Sequence, residues 1–186
     1  IYYVPNIDMD ADLRARIIAE AKFLRAYFYF HLSNIFGNIP LKTIPAFTPD
    51  ELNVPKSSVD NIYAQIEQDL TEAATILPTT KGSALGLLAK TYLFQEKWQL
   101  AFDAATQTEG LGYSLTNLYR DNFKVETENN SESVFEIQHL TNQIPATGTY
   151  LNQWFSPSVI TGYFFNAPTQ NFIDEFEVTQ AAVADP

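Results

Sequence analysis

EAKFLRAYFYF, at residues 20–30 of this 186-residue chain, carries apolar side chains around most of a helix, and FGNIPL, at residues 36–41, ends that helix. Steps of three and four between apolar positions predict a helix over residues 8–36. One inward stripe is predicted to be Ile17, Ala21, Leu24, Phe28, Leu32 and Ile35, and a second stripe is predicted to be Phe23, Tyr27 and Phe30. The solvent-exposed face of the helix is predicted to be Lys22, Arg25, Tyr29 and Ser33. A helix this apolar needs neighbours on at least two sides, so the stretch predicts a layered helical body.

Three further helices are predicted downstream. Residues 37–58 hold four prolines and are predicted to be an ordered loop, because proline removes a backbone donor and fixes φ. Residues 59–77 follow as a helix with water-facing Glu67, Gln68, Asp69 and Glu72, and with the inward stripe Ile62, Ile66, Leu70, Ala73 and Leu77. Helices over 81–96 and 98–108 complete the set. The last of these is predicted to turn Trp98, Ala101, Phe102 and Ala105 inward.

The last two helices match the tetratricopeptide pattern at several offsets. Leu88 and Ala89, Tyr92, and Ala101 twelve residues beyond Ala89 stand where that repeat places its packing residues. The predicted fold class is mainly α, with tetratricopeptide-like helix pairs, a loop-rich lobe and little strand. Residues 1–112 are predicted to form the helical platform, with residues 37–58 inserted. Residues 113–186 are predicted to form the loop-rich lobe, with a short strand at 133–138 and a last helix from 169 to about 176.

Composition excludes several classes of function. The net charge of -11 argues against binding to nucleic acid or to an anionic membrane surface. The chain has no cysteine, which removes disulfides, thiol nucleophiles and thiolate metal sites. The series Asp8, Asp10 and Asp12 resembles the start of a calcium loop but lacks its later glycine and glutamate, so charge at a helix N-terminus explains it better.

The remaining candidates for chemistry favour structural explanations. His31 and His139 lack a second histidine at ligand spacing, and Ser83 does not fit a nucleophile elbow. Glycoside hydrolysis needs two opposed carboxyl groups; the acidic loop that could supply them holds Glu126, Glu128 and Glu132. We expect no catalytic residue, no metal site and no cofactor.

The aromatic loop at residues 150–165 is the predicted ligand site. Aromatic rings stack on the flat C–H faces of sugars, and amide groups nearby can bond the hydroxyls. The predicted ligand-binding residues are Tyr150, Asn152, Trp154, Tyr163 and Asn166. Two alternatives stay open: these rings fill a core beneath the loop, or they meet a protein partner.

An ordered set of motifs resembles the SusD/RagB family of surface nutrient-binding lipoproteins from Bacteroidetes outer membranes. Together the motifs extend from about residue 15 to residue 178. They lie at residues 19–27, 36–41, 63–70, 76–78, 81–84, 88–93, 130–138 and 166–170.

The resemblance implies a tetratricopeptide-like platform and non-catalytic binding of an oligosaccharide or another nutrient on the external face of the outer membrane. It also implies delivery to a SusC-like TonB-dependent transporter, and attachment through a lipid anchor that this chain lacks. Because family members continue at both ends, the chain is expected to be a fragment. The alternatives are a helical-repeat domain that binds proteins and a glycoside hydrolase.

Overall fold

The computed structural model describes residues 1–77, 81–138, 154–156, 158, 162–163 and 169–174. Residues 1–136 form one compact unit and residues 137–186 form a second. The division predicted from the sequence, at residue 112, stays a prediction.

Four α-helices build the first unit: α1 (Ala11–Phe36), α2 (Val59–Ile76), α3 (Lys81–Phe94) and α4 (Trp98–Thr106). Each helix packs against the next along the chain. Short 3-10 helices lie at Val4–Asn6, Asp50–Leu52, Tyr119–Phe123 and Val125–Thr127. In the second unit, the described residues include a short helix at Gln170–Asp174. No helix within the described ranges has both the length and the apolar content to cross a membrane.

Side-chain caps set the starts of α1 and α2. Asp10 accepts a hydrogen bond from the Leu13 amide at 2.9 Å, so α1 begins at Ala11 rather than at residue 8. Ser58 accepts one from the Asn61 amide at 3.3 Å and opens α2. Both caps satisfy amide groups that a helix start leaves unpaired. Gly37 ends α1 with a φ of 68°, in the region that favours glycine.

The core lies between consecutive helices. The predicted stripe of α2 is confirmed, since all five of its residues are buried. On α3, Leu85 and Leu88 are buried, and Ala89 and Tyr92 pack partly buried against the same core. Burial of these apolar side chains supplies most of the drive to fold.

Of the two stripes predicted for α1, the second is confirmed at Phe23 and Phe30, which are buried, and the first is wrong. The helix buries Ala19, Phe23, Ala26, Phe30 and Ser33, and it leaves Leu24, Phe28, Leu32 and Ile35 exposed. The buried side includes Arg25, which the sequence placed in water, because Asp69 of α2 neutralises it. Asp69, also predicted to face water, is only 1% exposed.

Two further predictions were wrong. Trp98, Phe102 and Ala105 of α4 are exposed, whereas Ala101 is buried as predicted and Ala104 is buried beside it. Residues 133–138 form no strand, and the Val134 carbonyl accepts a hydrogen bond from the Ser83 hydroxyl at 2.6 Å. Across the described residues, the β-pairing is a single bridge between Pro40 and Lys56.

The inserted loop, residues 37–58, is closed at its base. Besides the bridge from Pro40 to Lys56, the Ser57 amide donates to the Ile39 carbonyl at 2.9 Å. The Val59 amide donates to Asn38 Oδ1 at 3.1 Å. The two ends of the loop therefore meet where α1 stops and α2 starts.

Candidate functional site

Two of the five predicted ligand-binding residues are described, and both are accessible. Trp154 is 44% exposed and Tyr163 is 56% exposed. Trp154 lies in a helical segment together with Phe155, which is 48% exposed. A ring half open to solvent keeps one face available for stacking, so Trp154, Phe155 and Tyr163 are not fully buried core residues.

The other three predicted site residues lie outside the described residues: Tyr150, Asn152 and Asn166. Whether the five side chains converge on one ligand therefore stays a prediction. His139 and most of the loop also lie outside the described ranges.

In the acidic loop, the Glu132 carboxylate anchors the chain through hydrogen bonds to Thr116. Glu132 Oε2 accepts hydrogen bonds from the Thr116 amide at 3.1 Å and from the Thr116 hydroxyl at 3.0 Å. These bonds, the amide bond first, lower the pKa of Glu132. A glycosidase acid needs a raised pKa, so Glu132 is unsuited to that role. Glu126 and Glu128 are exposed.

The other reactive candidates have structural surroundings. Ser83 is buried, and its hydroxyl is used in the bond to the Val134 carbonyl. The exposed ring of His31 packs edge-on against Tyr27, with ring centroids 4.6 Å apart. No group of three histidine, cysteine or carboxylate residues that could hold a metal ion occurs within the described ranges.

The Arg25–Asp69 ion pair of the platform is mostly buried. Arg25 Nε lies 2.8 Å from Asp69 Oδ2 and Arg25 Nη2 lies 2.7 Å from Asp69 Oδ1. Gln65 donates to the same carboxylate at 3.1 Å, and Arg25 Nη1 donates to the Thr43 carbonyl at 3.2 Å. The hydrogen bond to Asp69 raises the pKa of Arg25 above its ordinary value. The pair therefore joins α1, α2 and the inserted loop.

One group of aromatic residues was missed by the sequence reasoning. Tyr2, Tyr3 and Phe47 lie together in space, although Phe47 is far from the two tyrosines along the chain. The ring centroids of Tyr2 and Tyr3 are 5.1 Å apart, and those of Tyr2 and Phe47 are 5.5 Å apart. No sequence signal joins them, because their contact depends on how the inserted loop folds back.

The consecutive pairing of α1 with α2 and of α3 with α4 defines a mainly helical protein of the tetratricopeptide-like class. A family model described as SusD-like, "starch-binding associating with outer membrane", matches residues 6–93. The resemblance to this family that the sequence predicted is confirmed by the match.

Two curated relatives show similar levels of identity. SusD-like protein P25 of Formosa agariphila is 27% identical over 143 residues, which cover 71% of this chain and 27% of that protein. A SusD-like protein of Bacteroides ovatus is 29% identical over 144 residues, which cover 67% of this chain and 26% of that protein. The chain thus spans about a quarter of the length of these relatives.

Solved structures support the same fold. A laminarin-binding SusD-like protein is 37% identical, with a TM-score of 0.73 over 76% of this chain and 34% of its own. A SusD superfamily protein from Bacteroides vulgatus is 28% identical, with a TM-score of 0.80 over 89% of this chain and 37% of its own. The predicted fold class is confirmed.

Proposed function

We propose that this chain is part of a non-catalytic protein that binds an oligosaccharide or another nutrient outside the cell and delivers it to a SusC-like TonB-dependent transporter. One observation carries the proposal: the chain shares its fold, at 37% identity, with a protein described as laminarin-binding. The family description, starch-binding and associating with the outer membrane, supports the same class of ligand and an outer-membrane location on the external face. Attachment there would use a lipid anchor.

The proposed binding residues are those of the aromatic loop. The half-exposed rings of Trp154 and Tyr163 offer stacking faces for sugar. Tyr150, Asn152 and Asn166 are proposed to add a further ring and two amide groups. In this arrangement the loop-rich lobe, residues 113–186, holds the ligand, and residues 1–112 serve as the platform.

Binding without bond cleavage fits the chemistry of the described residues. The lowered pKa of Glu132 keeps this carboxylate ionised, and the hydroxyl of Ser83 is used in a structural hydrogen bond. Affinity would therefore come from stacking and hydrogen bonds, and the ligand would leave unchanged.

Calorimetry of the 186-residue chain against laminarin and maltoheptaose tests the proposal. We expect heat of binding with at least one glycan and no release of reducing sugar from either during long incubation. Reducing sugar released by the purified chain would contradict the non-catalytic part. Binding to neither glycan would contradict the glycan-binding part, and copurification with a TonB-dependent barrel would then favour a transporter-cap role.

The loop itself is tested by Trp154→Ala and Tyr163→Ala. We expect each change to weaken glycan binding about two- to tenfold through loss of a stacked ring. The melting temperature should stay nearly constant, because both rings are already half exposed. Tyr119→Ala is the matched control, since this ring is 78% exposed and belongs to the first unit. A loss of several kcal/mol in stability would instead assign the changed residue to a core.

A further inference from the structure

A groove runs along α3 between α2 and α4, all three of which lie within the described ranges. Both α2 and α4 pack against α3 but not against each other, so α3 forms the floor of the groove and the other two helices form its walls. The groove encloses about 290 Å³. Small-molecule sites in proteins usually hold about 300–1,000 Å³, so this volume suits a small ligand rather than a chain of sugars.

The apolar part of the groove comes mainly from one face of α3. Leu85, Leu88 and Tyr92 follow Lys81 at helical spacing, and all four side chains line the groove. Leu100 of α4 also lines it and is 46% exposed, so part of its apolar surface is open to a ligand. This part of the groove suits an apolar side chain of modest size.

Lys81, the first residue of α3, brings a positive charge to the groove. The residue is partly buried. Among the described residues, its ammonium group has neither a hydrogen-bond partner nor an ion pair. An ammonium group that loses water on folding without gaining a partner is unfavourable, and a ligand carboxylate in the groove would supply that partner.

Asp103 of α4 brings the opposite charge to the same groove. Its Oδ1 atom accepts a hydrogen bond from the neutral Gln99 side chain at 2.8 Å. No ion pair joins Asp103 to Lys81 or to another cation of the described residues. Two opposite charges therefore line one groove without touching each other, which leaves each of them available to a ligand that carries both charges.

The threonines of α2 add hydrogen-bond acceptors to the groove. The Thr71 hydroxyl donates to the Glu67 carbonyl at 2.7 Å, and the Thr75 hydroxyl donates to the Glu72 carbonyl at 2.7 Å. Each hydroxyl has a single hydrogen, so in this arrangement the two oxygens can accept from a ligand but cannot donate to it. This wall of the groove therefore suits an ammonium group.

We propose that this groove binds a free α-amino acid with an apolar side chain. The carboxylate of the amino acid pairs with Lys81, its ammonium group pairs with Asp103, and its side chain lies against Tyr92 and Leu100. The groove is a different site from the aromatic loop at residues 150–165, so the inference does not depend on the proposed binding of glycan.

Calorimetry of the 186-residue chain with L-leucine, L-methionine and L-phenylalanine tests the groove. We expect at least one of them to bind, and glycine, which has no apolar side chain, to bind more weakly. Lys81→Gln and Asp103→Asn should each weaken binding about tenfold, because each removes a charged partner. Lys81→Arg keeps the charge and should retain most of the affinity. Lys90→Gln is the matched control, since Lys90 is an exposed lysine of the same helix outside the groove.

Ligands that lack one charge show which side chain each charge meets. The amide of the bound amino acid has no carboxylate, so Lys81→Gln should not weaken its binding further. The corresponding carboxylic acid without the amino group should bind Asp103→Asn as it binds the unchanged chain. If a variant instead weakens every ligand and lowers the melting temperature, its residue has a structural role and the inference is overturned. Binding of none of the three amino acids, or equal affinities of Lys81→Gln and the unchanged chain, would also overturn it, whatever the result with glycans.

Discussion

The two sides of α1 are both largely apolar, yet only one of them is buried. The side packed on α2 contains a charged residue, Arg25, and a serine, Ser33, whereas the open side is built from Leu24, Phe28, Leu32 and Ile35. Which side of α1 is buried therefore depends on where a packing partner lies, and not only on how polar the side chains are. Asp69 is that partner for Arg25, and two oppositely charged groups with good hydrogen-bond geometry can be buried together.

Phe30 and Phe28 test this contrast most strongly. Phe30 is 2% exposed and Phe28 is 60% exposed. We expect Phe30→Ala to lower the free energy of unfolding by about 3–5 kcal/mol. Phe28→Ala, as the matched control, should change it by less than about 0.5 kcal/mol. Urea denaturation of both variants measures the difference. Equal losses would mean that the open side of α1 is covered in solution.

Asp69→Asn tests the charged contact on the buried side. The change leaves the Arg25 guanidinium, whose side chain is 16% exposed, without its counter-charge. We expect a loss of about 3 kcal/mol in unfolding free energy. The double variant Arg25→Met/Asp69→Leu should recover most of it, because no unpaired charge remains. A double variant as unstable as Asp69→Asn would show that the hydrogen bonds, rather than the lone charge, dominate.

Tyr29→Phe tests the contact between α1 and the inserted loop, which lies at the edge between the two sides of the helix. The change removes both hydrogen bonds to Lys42 and keeps the ring. We expect a loss of about 1–2 kcal/mol in chemical denaturation. Tyr27→Phe is the control, since the described residues give its hydroxyl no hydrogen-bond partner. If both variants lose the same amount, the ring and not the loop contact matters at position 29.

Glu72→Gln gives the smallest expected effect, and the direction in which pH changes its effect on stability can be derived. Hydrogen bonds from Lys22 first, and then from Gln68, lower the pKa of Glu72 in the folded protein. Its stabilisation is therefore present above the unfolded-state pKa and is lost as pH falls through the folded-state pKa. We expect the unchanged chain to lose more stability than Glu72→Gln between about pH 7 and about pH 3, by less than about 1 kcal/mol because the pair is partly exposed. Thermal unfolding across that range measures it, and parallel curves for the two proteins would contradict it.

The sequence predicted the helical platform because its signals are local. The stripe of α2 repeats at helical spacing over five residues, and Ser58 is a cap that acts within one turn. Such features need no knowledge of the distant chain.

Predictions that depended on distant partners were less successful. Periodicity showed that Leu24 and Phe28 share a face of α1 but not which face meets α2. The contact of Arg25 with Asp69 spans 44 residues. Trp98 looked like a core residue by its size, yet close packing of α4 uses the alanines. For the candidate site, the sequence left open whether Trp154 and Tyr163 are core residues, and their role in binding stays a prediction. The contact of Tyr2 with Phe47 had no local signal.

The closed base of the inserted loop has a consequence for how this chain can vary. The bonds that join residues 38–40 to residues 56–59 fix the spacing between α1 and α2 regardless of what lies between them. Lengthening a surface loop costs little entropy once its ends are held. The middle of the inserted loop can therefore change in length while α1 and α2 keep their positions.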